Sequence, residues 1–363
     1  MFADRLKLAR KKAGLSLRDL SEELGSRVSA QAIGKYERGE MMPSSGTLLA
    51  LAKTLEVSLD YLMGGQVSHL DGLDFRKKSG TTAKDRARVE AAVTEHVERY
   101  LTIEGILDLD STEWHKPFAE MRLKQVKDAE TLAVKVRAVW QLGEDPIPNL
   151  TELLEEHGIK VCITALPSDV SGMTCIVKRS GGLRAVPVIV VNQLHTLERR
   201  RLTLAHELGH RLIHKDSPVD HEKASNYFAG AILIPEAHLK KEIGKHRQGL
   251  GYYELIELKQ MYRVSAAAFL VRLERLGIID ESTLAYAFRS FARGWRREEP
   301  EELEEPDRRG TQEPARRFER LCYRALAEKL ISPGKASELL KCPLQYIERA
   351  MKGPAGGNAH HHQ

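Results

Sequence analysis

The stretch TLAHELGHRLIH, residues 203–214, decides the fold because it carries two histidines and a glutamate in the spacing H-E-x-x-H. Residues four apart lie on one face of a helix, so His206 and His210 can direct both imidazoles at one zinc ion. Glu207 lies beside that face, where its carboxylate can hold a water molecule and act as a general base. Zinc lowers the pKa of bound water, which favours attack on an amide carbonyl. The stretch therefore predicts a catalytic Zn²⁺ site on a helix.

A zinc site of this kind needs a third protein ligand, and the sequence offers two neighbouring candidates. Glu222 opens the next predicted helix, twelve residues after His210, and His221 is the rival at the adjacent position. A carboxylate suits the pattern better, so we expect Glu222 to complete the site. The alternative is a surface helix with ordinary hydrogen-bonded histidines, because a motif with three fixed positions also occurs by chance.

Two further polar residues lie near the predicted metal ligands. Asn226 follows Glu222 by one helical turn, so its side chain can hydrogen-bond one of the ligating histidines. His214 follows His210 by four residues, which would carry it about one turn past the metal on a straight helix. We expect Asn226 to contact a ligating histidine. We expect His214 to contact the ligands or to make a polar contact in the core, with a ligand or catalytic role as the alternative.

The first 64 residues show the helical spacing and the short turns of a small all-α helix-turn-helix domain. Residues 29–38 form the candidate recognition helix, since Ile33 would face the core while the polar side chains remain exposed. Glutamine can pair with adenine, and lysine can reach guanine or phosphate. We expect the following residues to contact DNA: Ser29, Gln31, Lys35, Arg38 and, through the phosphate backbone, Arg10. The alternative is a small helical bundle that binds protein.

Length and composition favour a multidomain protein without a membrane span. The chain has 363 residues, a charged fraction of 29% and a net charge of +5, which does not by itself show nucleic-acid binding. The four cysteines are scattered without a C-x-x-C pair, as expected for reduced thiols in a cytosolic protein. The N-terminus lacks a signal-peptide stretch, and the longest apolar run, residues 228–235, is far too short to cross a membrane. We therefore expect a cytoplasmic protein.

The distribution of helical and strand patterns predicts a mainly α chain of three folded parts. An all-α helix-turn-helix domain is followed by an α+β domain with a small sheet and then by a small C-terminal helical unit. Three β-branched segments after Gly158 predict the strands: KVCITAL, MTCIVK and VPVIVVN. The predicted boundaries are 1–65 for the first domain, 66–88 for a linker, 89–280 for the α+β domain, 281–315 for a charged linker, 316–353 for the C-terminal unit and 354–363 for a disordered tail. Because the C-terminal unit places few basic residues on its candidate recognition helix, we expect it to contact protein rather than DNA.

The N-terminal segment resembles the lambda-repressor-like (XRE-type) helix-turn-helix family. The resemblance rests on VSAQAIGKYERG, residues 28–39, followed by Pro43 and by LLALAKTLEVSLDYLM, residues 48–63. It implies a DNA-binding domain whose recognition helix enters the major groove. Gly34 departs from the family pattern, in which a polar residue is more common, so we do not expect a direct base contact at that position.

Residues 90–280 resemble the ImmA/IrrE family of zinc metallopeptidases. The resemblance rests on RRRLTLAHELGHRLIH, residues 199–214, and on EKASNYFAGAILIP, residues 222–235. It implies a zincin-like peptidase fold of the gluzincin type. The site residues that it implies are His206, His210 and Glu222 on Zn²⁺ and Glu207 as the catalytic residue.

Two details of the peptidase resemblance bear on packing and substrate binding. Ser225 departs from the alanine that is usual in the family, which is a small change on a packed helix. Zinc peptidases of this general type bind an extended substrate along an edge strand near the zinc helix. Pro187–Val191 is our candidate for that edge strand.

The two resemblances together imply a regulatory protease with its own DNA-binding head. The expected activity is zinc-dependent endoproteolysis of a transcriptional repressor or antitoxin in a stress or mobile-element response, with the chain's own linker near residues 66–85 as a second possible substrate. The alternative is a non-cleaving regulator whose zincin-like domain senses a ligand or partner, although such a site would not need Glu207. A homodimer is expected from the class, since two-fold symmetry matches palindromic operators.

Overall fold

The computed structural model describes residues 2–64, 67–71, 83–179, 181, 183–297, 299–300, 303, 313 and 315–352. In chain order the elements are α1 (Phe2–Ala13), α2 (Leu17–Glu23), α3 (Ala30–Glu37), α4 (Ser45–Thr54), α5 (Leu59–Met63), β1 (Val67–Asp71), α6 (Ala83–Ile106), α7 (Ala129–Val139), α8 (Leu150–Glu156), β2 (Lys160–Thr164), β3 (Gly172–Arg179), β4 (Val186–Asn192), α9 (Leu197–Leu212), α10 (His221–Leu233), α11 (Glu236–Ile243), α12 (Tyr252–Tyr262), α13 (Ala266–Arg275), α14 (Glu281–Arg289), α15 (Arg317–Ala327), α16 (Pro333–Leu340) and α17 (Leu344–Lys352). The chain divides into a first unit of residues 1–114, 176–186 and 315–363 and a second unit of residues 115–175 and 187–314.

Serine caps set the starts of four of the five N-terminal helices. The side chains of Ser16, Ser29, Ser44 and Ser58 each accept a hydrogen bond from a backbone N–H three residues later, which satisfies one of the free donors at a helix start. The apolar side chains of α1 to α5 pack into one core in which Ile33 is fully buried. The expected all-α helix-turn-helix fold is therefore confirmed.

The first unit extends beyond these five helices. Arg5 on α1 forms a two-pronged ion pair with the carboxylate of Glu98 on α6, and it also donates to the carbonyls of Tyr61 and Val67. Residues 66–88, which we expected to be a linker, contain β1 and the start of α6. The strand was missed because it has only five residues, and its partner in the sheet lies more than a hundred positions away.

The C-terminal helices share a core with α6 in the same unit. Cys322, Leu326 and Leu339 pack with Ile103, and each of these four side chains is less than one tenth exposed. The guanidinium of Arg317 donates to the Glu104 carboxylate at 2.8 Å, so a buried ion pair also ties α15 to α6. These helices form the expected small helical region at the end of the chain.

The sheet is small and mixed, with the strand order β1-β3-β4-β2. β1 runs antiparallel to β3, with Leu70 opposite Val177, and β2 runs parallel to β4, with Cys162 opposite Val190. Every residue of β4 is buried. The expectation that Pro187–Val191 forms an edge strand is therefore wrong, because β4 has a neighbour on both sides. A continuous apolar run is typical of a central strand covered on both faces.

Parts of the predicted charged linker, residues 281–315, belong to the second unit. Residues 281–289 form α14. Glu313 accepts a hydrogen bond from Arg201 on α9 at 2.5 Å and one from the backbone N–H of Thr151 at 3.0 Å. The side chains of Arg201 and Glu313 are each only 1% exposed. The acidic composition of this segment concealed the fact that one of its carboxylates neutralises a buried arginine.

None of the helices described here has both the length and the apolar character needed to cross a membrane.

Candidate metal centre and DNA-contact face

Close packing of α9 on α10 builds the candidate metal centre. Gly209, inside the H-E-x-x-H stretch, lies directly against α10. A Cβ atom at this position would lie 3.0 Å from Cδ1 of Phe228 and 3.2 Å from Cα of Ser225. The glycine therefore allows the start of α10 to come within reach of the histidines on α9.

The side chains of His206, His210 and Glu222 converge on one point. Nε2 of His206 lies 3.3 Å from one oxygen of Glu222, and Nε2 of His210 lies 3.4 Å from the other. Two ligand atoms on a tetrahedral zinc ion lie about 3.3 Å apart if each is about 2.0–2.1 Å from the metal. The two nitrogens are 2.9 Å apart, somewhat closer than that. Among the described residues, these three form the group of His, Cys, Asp and Glu side chains that could hold a metal ion.

Asn226 fixes the orientation of one imidazole. Nδ1 of His206 lies 3.0 Å from Oδ1 of Asn226. An amide oxygen accepts, so Nδ1 carries the proton and Nε2 keeps its lone pair for a metal. Burial lowers the pKa of His206, against the opposing effects of Glu222 and Asn226, and this favours the neutral form that a metal ligand requires.

Glu207 and Arg211 lie one turn apart on α9. Arg211 donates hydrogen bonds to the hydroxyl of Thr174 and to the carbonyl of Cys175, which ties the helix to β3. Burial lowers the pKa of Arg211 to about 10, and the negative charge of Glu207 acts in the opposite direction. Arg211 is therefore a cation at neutral pH beside the candidate general base. Arg211 was not among the residues predicted from the sequence, although its spacing of four from Glu207 was a usable signal.

Two candidate residues lie outside the group of converging side chains. α9 ends at Leu212, so His214 belongs to the following turn, where its Nδ1 accepts from the backbone N–H of Asp216 at 3.2 Å. His214 is therefore not on the straight helix that was assumed for it, and its contact with the ligands remains a prediction. His221, the rival third ligand, opens α10 but is not part of the converging group.

The candidate DNA-contact face lies on α3. Gln31 and Lys35 are exposed, and Ser29 is exposed although its hydroxyl also caps the helix. Arg38 is exposed and paired with Glu40, with Nε 2.5 Å from the carboxylate. Gly34 is buried, and a Cβ atom there would lie 3.6 Å from Leu17 on α2. The same Cβ atom would lie 3.2 Å from Nη1 of Arg38, so a larger residue at that position would displace the Arg38 side chain.

Arg10 is held inside the first unit. Its guanidinium donates to both oxygens of Glu37, at 2.6 and 2.7 Å, and to the carbonyl of Leu15. Its side chain is only 12% exposed. These contacts give Arg10 a structural role in fixing α3 against α1, which the run of basic residues at positions 10–12 did not indicate.

Two family models match separate parts of the chain. A helix-turn-helix model matches residues 6–62, and a peptidase-family model described as an IrrE N-terminal-like domain matches residues 154–274. The second match includes α9, α10 and all the converging side chains.

Curated relatives match about a fifth of the chain. The uncharacterized HTH-type transcriptional regulator YqaE of Bacillus subtilis is 35% identical over 78 residues, which are 22% of this chain and 66% of that protein. The HTH-type transcriptional regulator ImmR of the same organism is 37% identical over 76 residues, or 21% and 58% of the two chains. Repressor protein C2 of Salmonella phage P22 is 38% identical over 68 residues, or 19% and 31%. The chain thus spans less than two thirds of each of these relatives. Together with the family models, they show that this chain combines an XRE-type helix-turn-helix domain with a peptidase domain of the ImmA/IrrE type.

Proposed function

We propose that this protein is a DNA-binding regulatory zinc metalloendopeptidase that cleaves a transcriptional repressor or antitoxin. The observation that carries the proposal is the convergence of His206, His210 and Glu222 next to Glu207 on α9. A His-His-Glu set leaves room for water and substrate at a zinc ion, unlike a closed structural site with four protein ligands.

The protein's own residues have separable tasks in this proposal. Bound Zn²⁺ would act as a Lewis acid at the scissile carbonyl and would make water more acidic. Glu207 would take a proton from the attacking water and return it to the leaving amine. Asn226 holds the His206 ring in position for metal binding. Arg211 would keep a positive charge near Glu207 and anchor α9 to β3.

Metal content tests the site directly. We expect about one zinc per chain in the purified protein, and we expect Glu222→Ala to lose most of it because a metal ligand is removed. His221→Ala is the matched control, since it changes the neighbouring residue on the same helix and should retain zinc. Zinc lost equally from both variants would refute this ligand set, and a protein that takes up no zinc on reconstitution would refute the enzyme.

Cleavage is tested with Glu207→Gln, which removes the base but none of the ligands. We expect zinc binding to be unchanged and proteolysis to fall by about 10²–10⁴-fold, the usual contribution of a general base. Candidate repressors should be incubated with both proteins and followed by mass spectrometry. Cleavage that survives in Glu207→Gln would refute the catalytic assignment, and zinc binding without any cleavage would favour a non-cleaving regulator.

The chain's own segment near residues 66–85 is a second candidate substrate. Residues 72–82 lie outside the described part of the chain. Intact-mass measurements on stored wild-type protein should show fragments from this segment, and Glu207→Gln should remain whole. Identical fragments in both proteins would point to a contaminating protease.

DNA binding is proposed for the exposed face of α3. The similarity to HTH-type regulators and to a phage repressor supports it. Gln31 and Lys35 are the strongest candidates for base and phosphate contacts, because both are exposed on α3. Dimeric binding to a palindromic operator would appear in sedimentation as a complex of two chains with one duplex, and a single chain on the duplex would exclude it.

A further inference from the structure

Arg275 contacts the helix that carries Glu222 and Asn226, and it has no role in the proposed peptidase reaction. It is near the end of α13, and its guanidinium donates to the backbone carbonyl of Asn226 on α10 at 3.3 Å. The same guanidinium lies over the ring of Tyr227, 5.0 Å from its centroid. Asn226 is the residue whose side chain orients His206. One residue of α10 therefore contacts both a candidate metal ligand and this arginine.

The neighbouring Arg272 is an example of an arginine whose charge is neutralised inside the protein. Arg272 is 1% exposed, and both of its terminal nitrogens lie 2.6 Å from the carboxylate of Glu130. Arg275 has no carboxylate within ion-pairing distance among the residues that the structure describes, and its contacts are to a carbonyl and an aromatic ring. Arg275 is thus a fixed cation whose charge is not neutralised.

The surroundings of Arg275 favour an anion. Burial lowers the pKa of its guanidinium, and the positive charge of Arg272 acts in the same direction, while Tyr227 and Glu274 oppose them. A half-buried guanidinium without a carboxylate partner gains more from a carboxylate than a fully solvated arginine does. The guanidinium also lies close to Gly230 on α10, since a Cβ atom at that position would lie 3.9 Å from the nearest Arg275 nitrogen.

We propose that Arg275 forms a carboxylate-binding subsite that selects peptide substrates with an acidic side chain near the cleaved bond. The proposal rests on the proposed peptidase function and names its substrate class. Glu222 and Asn226 are four residues apart, which places them about 6 Å apart along the axis of α10. An extended peptide advances about 3.3 Å per residue. We therefore expect the acidic residue about two positions from the scissile bond.

Binding is the first test, because it needs no catalysis. Full-length, zinc-loaded Glu207→Gln protein would be titrated with two fluorescein-labelled peptides of equal length, one with glutamates and one with glutamines at the same positions. We expect the acidic peptide to bind about tenfold more tightly or better, the usual gain from a charge-assisted hydrogen bond. Arg275→Ala should abolish this preference, Arg275→Glu should reverse it and Arg275→Lys should retain part of it.

The matched control is Arg289→Glu, which makes the same charge change on an exposed helix of the same unit. It should leave the preference intact, which separates a local contact from a general effect of net charge. Zinc content confirms that each variant keeps its metal centre. Equal affinity for the two peptides, or a preference that survives Arg275→Glu, would overturn the subsite.

A cleavage profile of wild-type protein on a peptide library separates this inference from the enzyme itself. Acidic residues at one fixed position, lost in Arg275→Ala, would support both. Cleavage without acidic preference would overturn the subsite and leave the peptidase. Arg275-dependent binding of the acidic peptide without any cleavage would keep the subsite and remove the peptidase.

Discussion

The metal helix α9 and the recognition helix α3 use their side chains in opposite ways. On α9, His206 and His210 turn towards a neighbouring helix and meet Glu222 there. On α3, Gln31 and Lys35 point into solvent. The arrangement on α9 depends on how two helices pack against each other. The polar face of α3 depends on which of its side chains remain exposed to solvent. Substitutions remote from the ligands should therefore damage the metal centre, but substitutions remote from α3 should spare its face.

The largest loss of stability is expected when the buried ion pair between Arg201 on α9 and Glu313 is broken. Glu313→Ala would leave Arg201 buried without its carboxylate, which should destabilise the second unit by about 3–5 kcal/mol in a urea titration. Glu40→Ala is the matched control just after α3, because it breaks the exposed pair with Arg38 and should change the stability far less. Similar losses in the two variants would contradict the distinction between the helices.

The contact at Gly209 should give the next largest effect. Gly209→Leu would force α9 and α10 apart at Phe228 and Ser225, at a cost of about 1–3 kcal/mol and with loss of zinc. Gly230→Ala on α10 is the control, because its Cβ atom would meet its nearest neighbour at an ordinary 3.8 Å. Metal content and thermal unfolding distinguish the two. If Gly209→Leu retains zinc, close approach of these helices is not what builds the site.

The DNA-contact face should respond only to changes on its own surface. Lys35→Ala should reduce the slope of log affinity against log salt by about 0.9, the share of one phosphate contact. Gly209→Leu should leave that slope unchanged, provided that DNA binding is measured below the unfolding temperature. A parallel loss of DNA affinity in Gly209→Leu would show that the two functions are coupled.

The smallest effect should be an increase in stability. Ser225 is fully buried against α9, and its hydroxyl has no hydrogen-bond partner among the described residues. Ser225→Ala removes an unsatisfied polar group without removing a contact, so thermal unfolding should shift upwards by the equivalent of up to about 1 kcal/mol. A decrease would mean that the hydroxyl has a partner, such as a bound water molecule.

Local sequence patterns predicted most of the features that lie within a single helix. The spacing of His206, Glu207 and His210, and the turn between Glu222 and Asn226, are properties of an α-helix and can be read from the sequence. The structure brings these side chains together. The wrong assignment of β4 as an edge strand arose because a run of Val and Ile indicates burial but does not indicate which strands lie beside it.

Contacts between distant parts of the chain could not be predicted in this way. Glu313 and Arg201 are separated by 112 positions, and nothing in either segment identifies the other as its partner. Arg10 lies in a basic run that is typical of DNA contacts, and only the position of Glu37 in the fold shows that its guanidinium is held in an ion pair. The same limit applies to Arg275, because nothing in the sequence around it shows that its guanidinium contacts Asn226 on α10.

The core shared by α6 and the C-terminal helices has a topological consequence. Ile103 packs with Cys322 and Leu339, so both ends of the polypeptide contribute to the first unit. A peptide bond broken between residues 187 and 314 would divide the chain without dividing that core. The two fragments would remain a noncovalent pair, as in fragment complementation. A chimaera that exchanges the DNA-binding domain between related proteins would therefore have to include α6 and the last three helices as well as the first five.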